Sequence, residues 1–377
     1  MGTLNLFIPP FASDYSGACS ALYDLNCLTV IFDASCCTAH YVYCDEPRWE
    51  ERPRNVFSTR LRNIDTVFGN DEAAVSEIRK LSQRLDTDMT ALVGTPVPAV
   101  TGMDMEGLAR VVEAATGKPA FGFRTTGFAR YDEGIVAVGK AMIDRFAMRE
   151  ESVLRRINIL GATPLDIGAA GNEEDLEKLL SGAGWELNCG FFMGLSQEGM
   201  EKCASAEINL AVSSAGVALA KYLKKRFGTP WIAGFPVGEA HAETLLRRLD
   251  GEKTPIVSDG KESKGVLIVA DQVLGNSMRE ALRLAGVKRR IDVGSFFGWA
   301  DEIAEEGDIR FRTERQYMDA VCSGRWSAVA GDVMLLDVPG FNVKRIPLPH
   351  PAVSGRRGWN GVPRYCSAGE TLLEVFS

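Results

Sequence analysis

The sequence predicts an α/β protein of three Rossmann-like domains with mainly parallel sheets. Three observations carry that reading. Short runs of β-branched and apolar residues are each followed by a Gly, Ser, Thr or Asp turn and then a longer amphipathic segment, the βα unit of a parallel sheet. The runs are continuously apolar, as in strands covered on both faces. A length of 377 residues exceeds what one typical core accommodates.

In chain order, buried strands are predicted at Leu28–Asp33, Met89–Val93, Ala120–Phe123, Arg156–Leu160, Ile208–Val212, Trp231–Ile232, Gly265–Ala270, Ile291–Gly294 and Ser327–Ala330. Helical periodicity is read between them at Asp71–Arg84, Asp104–Thr116, Glu173–Ala183, Ala215–Phe227, Ser277–Leu284 and Glu314–Cys322. Several of these lead into a glycine suited to a helix C-cap: Gly117, Gly184, Gly228 and Gly286. A charged stretch at 144–155 and a polar, turn-rich stretch at 250–264 interrupt the alternation. They divide the chain into an N-terminal Rossmann-like domain with a cysteine-rich region (1–150), a second (151–255), and a third with a C-terminal return segment (256–377).

Apolar residues at 46% and charged residues at 24% describe an ordinary globular protein. A net charge of -8 and a pI near 5.2 argue against a broad nucleic-acid surface, which needs a clustered excess of Lys and Arg. The basic runs at 224–226 and 288–290 read as solvated helix ends. No stretch reaches about 18 consecutive apolar residues, and the first ten residues lack the basic start and long apolar run of a signal peptide, so a cytoplasmic chain away from membranes is expected. Neither a G-x-x-x-x-G-K-[ST] phosphate loop nor a G-x-G-x-x-G opening a βαβ unit occurs, so no ATP or NAD site is expected in this chain.

Of nine cysteines, five (Cys19, Cys27, Cys36, Cys37 and Cys44) fall in the first 44 residues. Any one of them taken alone is best read as a small buried hydrophobe. A cluster of this kind in a large chain without secretory features points instead to metal or redox chemistry. Ligands of open parallel sheets gather beyond the C-terminal ends of the strands, and the loop after the strand at 28–33 carries Cys36 and Cys37. Cys44 lies seven residues after Cys37, two turns on if the segment is helical, and Cys27 belongs at the opposite end of the strand. Cys189, Cys203, Cys322 and Cys366 are widely spaced and read as structural. His40 and His350 stand alone and read as structural too. Asp33 and Asp271 end strands, where each serves as a cap as readily as a catalytic acid.

An ordered set of phrases runs through the whole chain: PPFASDYSGACSALYDL, VIFDASCCTAHY with DEPRW, TVFGNDEAAVSEI, ALVGTPVPAVTGMDMEGLA, FRTTGFARYDEG, RINILGATPLDIG, EINLAVSSAGVALAKYLKKRFGTPWI, GVLIVADQVLGNSMREALRLAGV, RWSAVAGDVM and IPLPHPAVSGRRGW. In this order they resemble the nitrogenase component 1 family, which includes light-independent protochlorophyllide reductases and cofactor-assembly scaffolds.

That resemblance implies an iron–sulfur cluster, of the [4Fe–4S] type, with ligands shared across a subunit interface in some members. Iron–sulfur clusters are typically held by four thiolates. Cys37 matches one ligand position of the family. The other two fall at Phe11 to Ser13 and at Pro96, where no thiol stands, so Cys19, Cys36 and Cys44 are the candidate replacements. The family's second metallocluster is held by a cysteine and a histidine whose positions fall at Ser213 and near Arg364, so its standard ligands are absent here. The resemblance further implies an ATP-dependent iron protein as electron donor, a homodimer or a heterodimer with a related chain, and a small-molecule substrate. Two activities follow as expectations: reduction of a small molecule by way of the cluster, or, as the alternative, a non-catalytic role as metallocofactor carrier or assembly scaffold.

Overall fold

The computed structural model describes residues 5–62, 71–169, 171–254 and 264–376. Its strands form three sheets whose neighbouring strands all run parallel. The first is ordered β2 (Val56–Ser58), β1 (Cys27–Ile31), β3 (Met89–Val93), β4 (Ala120–Phe123). The second is ordered β6 (Glu186–Phe192), β5 (Val153–Ala162), β7 (Ala206–Ala211), β8 (Trp231–Ala233). The third is ordered β11 (Ile309–Arg310), β10 (Ile291–Ser295), β9 (Gly265–Val269), β12 (Trp326–Gly331), β13 (Lys344–Pro347). The α/β class and parallel sheets are therefore as the sequence predicts. Every residue of β1, β3, β9 and β10 is buried, which explains the largely apolar runs of β1, β3 and β9.

Three apolar clusters hold the sheets together. One fills the first unit between its sheet and the helices Asp71–Arg84 and Met105–Thr116. A second lies between the second and third sheets. The largest contains residues of all three units, among them Ile31, Phe192, Phe297 and Val329. Helix Asp14–Leu22 crosses helix Tyr131–Phe146 at very close range: a Cβ on Gly17 would strike the Tyr131 carbonyl, and one on Gly134 the Asp14 carbonyl. Only glycine permits that approach.

The C-terminal segment returns across the earlier units. Ala12 N donates to the Ala352 carbonyl (2.7 Å) and Gly238 N to the Tyr365 carbonyl (2.9 Å). The Asn172 amide donates to the Pro363 carbonyl at 2.9 Å, and Arg356 pairs with Glu50 at 2.6 Å.

Several elements differ from the sequence reading. Strands β2, β6, β11 and β13 and helices Tyr131–Phe146 and Gly238–Leu249 are additional. The helix read from Ser277 begins at Gln272, capped by Asp271, whose carboxylate accepts from Val273 N. The charged stretch at 144–155 begins inside helix Tyr131–Phe146 and ends inside β5. The start of the phrase TVFGNDEAAVSEI and the division at 255–256 fall outside the described residues.

Candidate functional site

Three chain segments meet at the C-terminal edge of the first sheet. After β1, the Asp33 carboxylate accepts from Thr38 N (2.8 Å), the Thr38 hydroxyl (3.0 Å) and the Ser58 hydroxyl (2.6 Å), turning the chain at once into the short helix Cys36–His40. Ser35 takes a left-handed φ of 86° to make that turn, a conformation a non-glycine residue adopts at some cost. After β3, Thr95 donates to the Phe32 carbonyl at 2.6 Å, and Pro96 opens the helix Pro96–Thr101. After β4, the Asp14 carboxylate accepts from Thr126 N (2.7 Å) and Gly127 N (2.6 Å), which ties that loop to the start of the first helix. Gly127 has φ +76°, and a Cβ there would lie 2.6 Å from the Pro96 ring.

Cys37 sits at this junction, half-buried, beside the hydroxyls of Tyr15 and Thr95. Burial, and then the Asp33 carboxylate, push its thiol above the usual range. The Ser13 hydroxyl oxygen is buried nearby without a hydrogen-bond partner, and Tyr15 lies against both Ser13 and Cys37. Ser13, Cys37 and Pro96, singled out from widely separated stretches, thus lie around Tyr15. One thiol and three hydroxyls are on offer there.

The other candidate cysteines go elsewhere. Cys36 precedes Cys37 on the same turn and is exposed. Cys19 is 2% exposed, inside the core beside Cys27, and burial raises its pKa strongly. Burial also raises Cys27, to about 12. Cys44 lies one element on, since Cys36–His40 continues into a turn of π-helix at Tyr41–Asp45, and it faces Asp45 and Arg356. Among the described residues no three His, Cys, Asp or Glu side chains converge as a metal-binding group. A cluster complete within one chain does not fit this donor set. One corner of a shared cluster does, since Cys37 and the unpartnered Ser13 oxygen stand where three loops meet.

The Ser213 hydroxyl is committed to structure: it donates to the Gly161 carbonyl (2.8 Å) and accepts from Gly216 N (3.2 Å), capping helix Ser214–Phe227. Arg364 pairs with Asp175.

A second concentration of polar groups lies between the three sheets; the sequence reading singled out Asp271 and His350 from it, but not Asp132, Asp166 or Tyr131. Asp132 comes from the first unit, Asp166 from the second and Asp271 from the third, and burial raises the pKa of all three, Asp132 to about 6. Tyr131 donates to Asp166 Oδ1, and Thr163 to Oδ2 at 3.0 Å. Asp271 accepts from Ser214 N at 2.9 Å and so ties the third unit to the second. His350 stacks on Phe297 with ring centroids 4.9 Å apart. Neither of its ring nitrogens has a hydrogen-bond partner, and burial lowers its pKa to about 3, so it is neutral. Beside this cluster opens a cleft of about 960 Å³, lined by residues 128–140, 214–221 and 296–312.

Residues 13–254 match the nitrogenase component 1 type oxidoreductase family. The chain belongs to that family. It is 27% identical over 209 residues to the nitrogenase iron-molybdenum cofactor biosynthesis protein NifE of Klebsiella pneumoniae, covering 51% of this chain and 45% of the relative. With the NifE of Clostridium pasteurianum the identity is 26% over 261 residues, 66% of this chain and 54% of the relative. A shorter match, 31% over 93 residues, links 24% of the chain to 18% of a light-independent protochlorophyllide reductase polypeptide from Synechococcus sp.. The chain spans about half the length of the NifE relatives it matches. Its fold is that of a nitrogenase Cp1 structure, with a TM-score of 0.71 and 13% identity over 100% of this chain and 93% of the other. No helix among the described residues is long and apolar enough to cross a membrane.

Proposed function

We propose that this component 1-type chain is one subunit of a pair in which Cys37 supplies one thiolate to a [4Fe–4S] cluster completed by the partner subunit. The observation that carries this reading is the meeting of three loops around a single family-position thiol, with Cys19 and Cys44 turned away from it. When bound, such a cluster would supply electron transfer at a potential set by its charge, hydrogen bonds and burial. The residues of this chain would position it: Asp33 holds the Cys37 turn, Asp14 holds the loop at 126–127, and Gly127 leaves the room that any side chain would fill. An ATP-dependent iron protein is the proposed electron donor, the inter-sheet cleft the proposed site of the small molecule reduced, and the cytoplasm the proposed compartment.

The NifE relatives, named for iron-molybdenum cofactor biosynthesis, favour a second reading, in which the same pair carries or assembles a metallocofactor without turning over a substrate. The commitment of Ser213 to a helix cap also favours it. Anaerobic purification of the chain with its partner, followed by iron and sulfide analysis, tests what the two readings share. Cys37→Ser is expected to remove most of the iron, whereas Cys19→Ser leaves it in place. Iron content unchanged by Cys37→Ser rejects the cluster assignment. ATP-dependent reduction of the bound iron by an added iron protein then separates the redox reading from the carrier.

A further inference from the structure

The segment that leads into the first helix reaches out of its own unit. Residues 6–8 are held by one side chain of the third unit: Leu6 N (2.9 Å), Phe7 N (2.7 Å) and Ile8 N (2.8 Å) all donate to the Glu314 carboxylate. Burial would raise that carboxyl, but the three amides outweigh it and hold it below its usual range. Hydrogen bonds to an ionised acceptor are about twice as strong as neutral ones. Pro9 and Pro10 follow, which have no amide hydrogen and keep the chain stiff and extended. Phe11 then meets Phe296 (5.2 Å between centroids) and Phe297 (5.6 Å) of the third unit, and the Arg130 guanidinium lies over its ring at 5.7 Å. Beyond Phe11 the chain is back in the first unit, where Tyr131 N donates to the Ala12 carbonyl and Asp14 N to the Ala129 carbonyl, both at 3.1 Å.

Arg130, Phe296 and Phe297, the three residues that Phe11 meets, all line the cleft of about 960 Å³. Arg130 comes from the first unit and the two phenylalanines from the third, so Phe11 stands where these units face each other across it. Among the described residues, no helix or strand between 14 and 146 packs broadly against one between 265 and 347. The first unit packs broadly on the second, through helices Tyr131–Phe146 and Ser214–Phe227, and on the returning segment at 355–357. Its direct join to the third is made by single side chains, such as Tyr131 on Phe297 (5.1 Å), and by residues 6–11. A joint of this kind opens at a lower free energy than a packed interface, and hinge closure around a cleft uses such joints.

We propose that residues 6–13 are a strap that closes the cleft: latched on Glu314 it holds the first and third units together, and its release lets them part about the returning segment. Hydrogen exchange of the full chain, read by mass spectrometry, tests it. Glu314→Ala leaves the cap of the following helix intact, since Thr313 accepts from Gln316 N. Amides 6–8 of that variant are expected to exchange at least about ten-fold faster, the scale of one charge-assisted contact. The cleft-wall amides of Phe297 and Ala300, which donate to Ser295 and Gln272, should speed up with them, while strand β9 stays protected. Phe11→Ala, with Glu314 in place, should also speed exchange at 296–300. Faster exchange at 6–8 with 296–300 unchanged overturns the proposal, because the segment is then a tether and not a gate, and so does unchanged exchange at 6–8. Where Glu314→Ala loosens β9 as well, Phe11→Ala decides: a cleft wall that exchanges as in the unaltered chain overturns the proposal. The use of the strap rests on the reading of the cleft as the working site. The exchange rates report opening alone, so their outcome is separable from that reading and from the iron at Cys37.

Discussion

Cys37 and Cys36 are adjacent in sequence, yet their surroundings assign them different chemistry. Cys36 is open to solvent, while Cys37 is half-buried with Asp33 and two hydroxyls around it. Alkylation requires the thiolate. Because the folded Cys37 pKa is raised, its labelling by iodoacetamide should be slow near neutral pH and accelerate as the pH rises past the ordinary thiol range. Peptide mass spectrometry of the native chain should find Cys36 modified first, Cys37 later, and Cys19, Cys27, Cys189 and Cys203 only after unfolding, since all four are buried. Native labelling of Cys19 as fast as that of Cys36 would contradict its placement in the core. The position of Cys37 was legible because a strand followed by a turn is a pattern. The hydroxyls of Tyr15 and Thr95 were not, since Tyr and Thr carry no spacing signal and reach Cys37 only through the fold.

The central strands were read to within a residue or two because burial on both faces leaves continuous apolar runs. Strand β6 was missed for the opposite reason: it starts with exposed Glu186 and Leu187 and enters the core only at Cys189. Helix Tyr131–Phe146 was missed because Gly134 and Gly139 lower helical propensity, yet they are what lets it pack. Gly134 meets helix Asp14–Leu22, and a Cβ on Gly139 would lie 2.7 Å from Leu219. Overlooking this helix also concealed Tyr131 and Asp132, which stand in its first turn. Gly134→Ala should therefore destabilise the protein by about 1–3 kcal/mol or more, because a backbone carbonyl cannot yield as a side chain does. Thermal unfolding measures it, and an unchanged melting temperature would contradict the close crossing of the helices.

The whole molecule is coupled by acids it buries between units. Asp132 is raised to about 6, by burial and then by Asp271 of the third unit. Glu173 is raised to about 7, by burial and then by Glu177. A carboxyl whose folded pKa lies above its unfolded value binds more protons when folded. Its contribution to stability is full below the unfolded pKa, about 4, and is lost as the pH rises through the folded value. Glu280, where the cost of burial is outweighed by His241 and Arg248, is lowered to about 2 and acts in the opposite sense, only at more acid pH. The melting temperature should therefore fall between about pH 5 and pH 8, and Asp132→Asn should flatten that fall. An identical pH profile in the variant would remove Asp132 from this account. Sequence patterns revealed three sheets, but not that three aspartates from different units share one interior, because spacing along a chain says nothing about which ends of separate sheets face each other.

The returning segment bears on how the protein is made. Ala12, Asn172 and Gly238 all hydrogen-bond to residues between 352 and 365, so the earlier units are translated and begin to fold before the partners that fasten them exist. Contacts of such sequence separation form late and slowly. Until they form, the cleft between the sheets stands on units not yet fastened to one another and is completed only when the returning segment docks, whereas the Cys37 junction is built within the first unit and precedes that step.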